Sequence, residues 1–378
     1  MRRIICVLLI MLFLPCASLA QDLSQVSEYT LQTGEIVDYI HDVHLLPDGK
    51  VLLRYYTADH GDFARSAGKE GQLYNHYMSI FTAEGGKVWQ SMPDSYELAR
   101  RENDQQIILR PDCFIWEYYP NGSRYDYCRT AYGFDGSVRD VVLDIQTRDT
   151  ANVWSALAHY FLGIAYGDRE IMLEAVSLTT GASAQIPVDA EGVFHAAEIA
   201  GQLAVLVRSE DDPAVIRFYD ENLQEVRVLE TPITHGEAME MAERDGMLYC
   251  FAMYAGDWES YYVYACDLST GRWQAETPYV RLPGEYCSLN GVIPCGDGFL
   301  LLINEGDSPE HPAPFGPHNW NYTDRDLYMM TPDGSLSLYL DLNGDARLLP
   351  RTDENTFTLL MRSESSGQYV LRTYALTK

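Results

Sequence analysis

Short apolar runs separated by turn-forming clusters repeat along most of this chain. Residues 193–232 show the unit as FHAAEIAG, QLAVLVRSED, PAVIRFYDEN and LQEVRVLETP. Each run is rich in residues that suit a pleated, half-buried surface, and each stops at Gly, Asp or Asn. Four runs in succession predict a four-stranded antiparallel meander. Two series of turns recur between such runs. One comprises Pro47-Asp48-Gly49, Ala200-Gly201, Asp245-Gly246, Asp297-Gly298 and Asp353-Glu354-Asn355. The other comprises Glu84-Gly85-Gly86, Asp135-Gly136, Thr179-Thr180-Gly181, Asp220-Glu221-Asn222, Ser269-Thr270-Gly271 and Asp333-Gly334. Gly and Asn accept the positive φ that tight hairpins need, so these clusters are hairpin chemistry. Their alternation reads as the A–B and C–D turns of one repeated sheet, the signature of a β-propeller.

The pattern predicts an all-β, seven-bladed ring, with six or eight as alternative counts. Blades are expected to begin near Asp38, Ser95, Val153, Val193, His235, Cys287 and Ala346. The third is the least regular, because residues 155–167 (SALAHYFLGIAYG) also fit a short helix. The seventh is one strand short at the C-terminus. Residues 27–35 (SEYTLQTGE) offer a spare strand that would complete it, close the ring and cover an otherwise unpaired edge. No Pro/Gly/Ser-rich linker interrupts the series, so residues 21–378 are expected to form a single domain.

The blade rhythm, seen in residues 81–88 (FTAEGGKV) and 330–336 (MTPDGSL), resembles that of secreted bacterial β-propellers of the YVTN-type and quinoprotein-like groups. The Trp-Asp dipeptide of WD repeats and a regular aspartate box are both missing. The resemblance therefore implies a fold and carries over no catalytic or cofactor residue.

The first twenty residues read as a signal peptide. Arg2 and Arg3 form a positive start, residues 4–14 an apolar stretch, and Ser18-Leu19-Ala20 a small-residue cleavage site before Gln21. The expected location is therefore extracytoplasmic, with no membrane association after cleavage. Losing the two arginines takes the net charge from −28 to −30. A charge of that sign disfavours nucleic acid and anionic lipid, which need a basic face. It is compatible with cations or basic partners.

Six cysteines remain after cleavage: Cys113, Cys128, Cys250, Cys266, Cys287 and Cys295. In an exported chain an even number predicts disulfides. Cys113 and Cys128 are symmetric about Pro120-Asn121-Gly122-Ser123, and Cys250 and Cys266 about Trp258. Cys287 would then pair with Cys295. No Cys-x-x-Cys occurs, so a structural zinc site is not expected, and no cofactor is.

Candidate binding residues fall in two groups. The two longest B–C insertions, residues 57–76 and 305–326, would leave one face of the ring, and long loops on a rigid scaffold carry binding residues. They hold His60 in the first and Asp307, His311, His318 and Trp320 in the second. The inner strands hold Asp42, His195, Glu198, Glu237 and Glu240, which do not recur at one register across the blades. Carboxylates crowded in a channel would have raised pKa values. No Gly-x-Ser-x-Gly elbow, phosphate loop or dinucleotide fingerprint is present. The expected function is a monomeric binding or scaffold module for a protein or glycan. The alternative is a hydrolase or lyase acting on a carbohydrate or small polar substrate, with Asp42, Glu237 and Glu240 as candidate acids.

Overall fold

The computed structural model describes residues 23–58, 74–91, 106–118, 128–139, 150–166, 171–188, 195–207, 213–233, 238–254, 257–274, 278–284, 287–305, 324–342, 346–351, 353–363 and 365–376. These residues form strands and turns, with no helix among them. The described residues open with β1 (Ser24–Thr30). Blade one follows as β2 (Val37–Leu45), β3 (Val51–Ala58), β4 (Tyr74–Phe81) and β5 (Lys87–Gln90). Blade two is β6 (Gln106–Leu109), β7 (Cys113–Tyr118), β8 (Cys128–Gly133) and β9 (Val138–Arg139). Blade three is β10 (Thr150–Ala156), β11 (Tyr160–Tyr166), β12 (Ile171–Ser177) and β13 (Ser183–Val188). Blade four is β14 (His195–Ile199), β15 (Gln202–Val207), β16 (Val215–Tyr219) and β17 (Glu225–Glu230).

Blade five contains β18 (Ala238–Arg244), β19 (Met247–Tyr254) and β20 (Asp257–Asp267), with an outer strand in two pieces, β21 (Arg272–Trp273) and β22 (Tyr279–Arg281). Blade six is β23 (Ser288–Cys295), β24 (Gly298–Glu305), β25 (Asp324–Met330) and β26 (Leu336–Asp341). Blade seven is β27 (Ala346–Leu348), β28 (Thr356–Arg362) and β29 (Tyr369–Ala375), completed by β1. The structure is thus a seven-bladed β-propeller, each blade an antiparallel meander in chain order.

Inner strands begin close to the expected positions, except in blade two, where β6 starts at Gln106 rather than near Ser95. The segment also compatible with a helix instead forms β10 and β11, whose Phe161 and Leu162 pack on opposite sides of the sheet. The closing strand is the expected one. Antiparallel pairing joins Thr30 to Val370, Glu28 to Arg372 and Ser24 to Ala375, with one bulge on the way. Arg372 Nε donates to Glu28 Oε2 at 2.6 Å, and Leu31 N donates to Tyr369 O at 3.0 Å. Leu31 sinks to 1% exposure between blades seven and one.

Between blades the core is a set of apolar seams. Alternate residues of one strand serve opposite seams, because successive side chains point to opposite faces. Ala196 packs with Tyr160 and Leu162 of blade three, whereas Ala197 packs with Met241 and Leu248 of blade five. Phe114, Phe251 and Phe357 are fully buried. Each contributes about 1.5–3 kcal/mol by leaving water.

The expected disulfides are not formed. In the β7–β8 hairpin Cys113 pairs with Gly133 and Cys128 with Tyr118, so the two cysteines lie at opposite ends of the hairpin. The apparent symmetry in the sequence assumed a turn centre that the register does not use. Cys287 and Cys295 flank the length of β23, about 26 Å of strand at 3.3 Å per residue. That is beyond a disulfide's reach. Cys250 and Cys266 come nearest: they share one apolar cluster, but Cys250 faces Tyr264 across the ladder and Cys266 faces Leu248. Both are free thiols, as is Cys113. Burial pushes the Cys113 thiol up to about 11.

Glycine is required where the C–D turn of one blade meets the outer strand of the preceding one. Gly85 has φ +80°, and a Cβ there would lie 2.4 Å from the Thr30 carbonyl oxygen on the closing strand. Gly85 O also accepts Gln32 N–H at 2.9 Å. Gly49, with φ +81°, has nothing within 4 Å of such a Cβ. Gly49→Ala should therefore cost about 1–3 kcal/mol from the left-handed backbone alone. Gly85→Ala should cost more than Gly49→Ala and loosen β1, measured by chemical denaturation and by proteolysis near the N-terminus. Equal losses in the two variants would mean that the Thr30 contact constrains nothing.

Candidate functional site

Each inner strand is entered from a D–A connection and leaves into an A–B turn. The B strand then runs back, so the B–C and D–A connections leave the same end of every blade. His60, Asp307, His311, His318, Trp320 and Glu237, together with most of the two long insertions, lie outside the described residues. Asp42, His195, Glu198 and Glu240 are described; Asp42, His195 and Glu240 share one register, which corrects the expectation of none, and Glu198 does not.

Positions are counted from the residue that closes the A–B turn, Lys50 in blade one and the first residue of strand B in the others. The inner-strand residue opposite the fifth position then holds the same place in every blade where the pairing runs through it. It is Asp42 opposite Arg54, Gln106 opposite Glu117, His195 opposite Leu206, Glu240 opposite Phe251, Gly291 opposite Leu302 and Arg347 opposite Leu360. Four of these six positions, Asp42, His195, Glu240 and Arg347, carry an ionisable side chain, and together they form one tier on the inner strands. A bulge directly precedes the tier in blades one, five and six, between Ile40 and Asp42, Ala238 and Glu240, and Leu289 and Gly291. Such bulges re-aim a strand locally and insert one residue. Counting forward from the D–A connections passes through them and loses the register. Counting backward from the A–B turn would have found it.

The tier's members have different electrostatic settings. Asp42 forms an ion pair with Arg54, whose side chain is 5% exposed. Arg347 donates to the Ile40 carbonyl of blade one. His195 and Glu240 meet across the seam between blades four and five, with His195 Nε2 3.6 Å from Glu240 Oε2. Their side chains are 13% and 22% exposed. At that distance they do not share a normal hydrogen bond. Burial pushes the Glu240 carboxyl up to about 8 and His195 down to about 4. Both groups are thus neutral at pH 7, because the shielded seam disfavours either charge alone. On the other side of Glu240, Tyr261 accepts the Leu289 N–H at 3.3 Å, and burial raises its hydroxyl pKa. Asn290, the bulged residue of blade six, donates to Asn304 Oδ1 at 3.2 Å.

Glu198 belongs to a different function. It accepts the His159 N–H at 3.3 Å from the A–B turn of blade three. Glu243, at the same register in blade five, accepts Ala200 N–H at 2.8 Å from the A–B turn of blade four. Arg244 donates to Gly298 O of blade six at 2.9 Å. These are clasps between blades at the end away from the tier. Among the aromatic residues, Tyr262 meets Tyr279 across the strands at 5.5 Å. Among the described residues no group of three metal-ligating side chains occurs.

No protein-family profile matches the chain, and no curated protein matches it significantly. Solved structures do. Prolyl oligopeptidase B from Galerina marginata in its apo form aligns at 12% identity with a TM-score of 0.43, over 89% of this chain and 49% of that one. The same enzyme bound to a 35mer hydrolysis and macrocyclization substrate aligns at 14% identity and a TM-score of 0.46, over 89% and 48%. Kuenenia stuttgartiensis hydrazine synthase aligns at 13% identity and a TM-score of 0.37, over 68% and 73%. The chain spans about half the length of the oligopeptidases it matches. At these similarities nothing of those proteins' activities transfers to it.

The His195–Glu240 pair sets a pH dependence of stability. A carboxyl raised from 4.5 to about 8 contributes stability that is complete below 4.5 and is lost as pH rises to about 8. A histidine lowered from 6.5 to about 4 does the opposite, adding stability as pH rises from about 4 to 6.5. The two slopes oppose each other up to about 6.5, and above it only the fall due to Glu240 remains. Glu240→Gln should flatten denaturation free energies between pH 6.5 and 8 relative to wild type, removing at most about 1.4 kcal/mol per pH unit. A variant that kept the wild-type decline would exclude this assignment.

Proposed function

We propose that this chain is an exported binding module that holds a protein or glycan on the face from which the B–C and D–A connections leave. The observation that carries this reading is the tier. A closed, rigid ring presents Asp42, His195, Glu240 and Arg347 at one register inside its inner strands, toward the end where both long insertions join the sheets. Rigid scaffolds of this kind place binding groups on loops around a central opening. Export rests on the n-region, apolar stretch and cleavage pattern of residues 1–20, and the acidic charge favours a partner with basic or neutral polar chemistry.

A hydrolase or lyase reading draws on Glu240, a carboxyl that holds its proton near neutrality and so suits a general acid. A glycosidase-type reaction needs a second carboxylate close by. Of the candidate acids, Glu237 lies outside the described residues; of the two described, Asp42 is engaged by Arg54 and sits on blade one, while Glu240 sits on blade five. We therefore prefer binding to catalysis.

The test is capture on a glycan array and on proteins of the extracellular fraction, with the wild-type chain beside a His311→Ala, His318→Ala, Trp320→Ala variant. Capture that falls at least about tenfold in the folded variant, the loss of one or two interface anchors, fits the placement. Undiminished capture by that variant rules the placement out.

A further inference from the structure

The seam between blades two and three holds charges of its own, away from the tier. Trp89 of blade one contacts Phe114 and Tyr132, so those side chains face blade one. Successive strand residues point to opposite faces. Glu117 and Arg129, paired across β7 and β8, therefore face blade three, as does Arg110 opposite Cys113. From the other side, Phe161 and Val176 of blade three pack in one cluster with Ile115 of blade two. Gly163 and Glu174 lie two residues further along the same strands, directly opposite each other, and face blade two.

The four ionisable groups in this seam are unequally served. Arg129 Nε bonds Glu117 Oε1 at 2.5 Å. Glu174 is only 9% exposed, yet among the described residues neither it nor the Arg110 guanidinium has a hydrogen bond or an ion pair. Neither is among the side chains whose unbonded atoms are fully shielded, so solvent reaches both. Burial pushes the Glu174 carboxyl up while Arg110 opposes the shift, and burial pushes Arg110 down while Glu174 opposes it. The two charges thus act on each other across the seam without touching. Room lies beside them: Gly163 is buried, and a Cβ built on it would meet no described atom within 4 Å.

We propose that the seam between blades two and three is a site for a small amino-acid zwitterion, its ammonium donating to Glu174, its carboxylate accepting from Arg110 and its body beside Gly163. The charges that face the seam decide this class. Two guanidiniums and two carboxylates balance when Glu174 is ionised, so a ligand of no net charge keeps the balance. A bare cation would serve Glu174, leave Arg110 unmatched and lie near Arg129. A bare anion would serve Arg110 and meet Glu117 and Glu174. An ammonium–carboxylate pair serves both at once through charge-assisted hydrogen bonds. Glycine at position 163 matters because a side chain there would take the ligand's place. The inference goes beyond the loop-face reading and does not rest on it.

The probes are glycine, β-alanine and 4-aminobutanoate, which carry the same two charges at increasing separation. Each is titrated calorimetrically into the purified chain at pH 7, beside acetate and methylammonium. At least one zwitterion should bind saturably. Acetate and methylammonium should bind at least about tenfold more weakly, the loss of one hydrogen bond to a charged group. Glu174→Gln and Arg110→Gln should each weaken the zwitterion at least about tenfold for the same reason. Gly163→Ala should weaken it as much while its denaturation midpoint stays at or above wild type, because alanine is favoured over glycine in a strand that has room for the methyl.

No saturable binding by any of the three zwitterions, equal binding of acetate or methylammonium, or an affinity unchanged in Glu174→Gln or Arg110→Gln would each overturn the proposal. A Gly163→Ala variant that folds and binds like wild type overturns it as well. Partner capture is a separate measurement: loop variants that leave capture unchanged sink the face assignment without touching these titrations.

Discussion

The pairing of β1 with β29 is the constraint from which the rest of the architecture follows. A meander of this kind ends with an open edge, and an unpaired edge strand is a template for aggregation. Blade seven has only three strands of its own, and the N-terminal segment supplies the fourth through a ladder from Ser24–Ala375 to Thr30–Val370. The closing strand also passes directly from blade seven to blade one. Leu31 enters the seam between them, and Gln32 hydrogen-bonds the C–D turn of blade one. Sequence-distant ends thus hold each other, and the inner strands cannot splay without breaking that ladder. The fixed tier inside the ring depends on this closure.

The ring manages charge differently at its two ends. At the A–B end, carboxylates and guanidiniums are placed where a neighbouring blade offers a backbone N–H or carbonyl: Glu198 with blade three, Glu243 with blade four, Arg244 with blade six. A charged group hydrogen-bonded to backbone is a strong and directional contact, so these residues align blades. At the D–A end, the tier mixes compensated and uncompensated groups. Asp42 and Arg54 satisfy each other, whereas His195 and Glu240 resolve their burial by giving up charge altogether. A shielded group neutralises when no opposite charge is within reach, because a lone buried ion costs far more than its proton.

Much of the fold was legible because turn chemistry is local. Asp-Gly and Gly-Gly clusters mark hairpins wherever they stand, and Gly85, Gly136, Gly181, Gly271 and Gly334 all adopt the positive φ that the pattern required. The closing strand was legible because an incomplete blade at one terminus and a spare strand at the other leave a single economical solution. The cysteines misled because symmetry about a turn in sequence is not symmetry in register. Between Cys113 and Cys128 the ladder pairs Tyr118 with Cys128, which shifts the hairpin centre toward the second cysteine. The tier was hidden for a related reason. Its residues are chemically unlike (an aspartate, a glutamine, a histidine, a glutamate, a glycine and an arginine), and bulges before three of them break any count made from the preceding connection.

A tier of unlike residues has a consequence for recognition that a uniform one would lack. Seven identical carboxylates would present a symmetric negative ring and attract any cation without orientation. Here the ring's pseudo-symmetry is broken at the inner strands, with one compensated acid on blade one, one neutral acid–imidazole pair across blades four and five, no side chain on blade six and an arginine on blade seven. Any ligand that entered the opening would meet a different chemistry in each direction, and its orientation would follow from which groups it could satisfy. The backbone supplies the repetition that makes the ring rigid, and the tier supplies the asymmetry that would allow it to discriminate. Glu240 is where these meet. Its position is set by the register shared with the other blades, and its protonation is set by what its own two neighbours fail to offer.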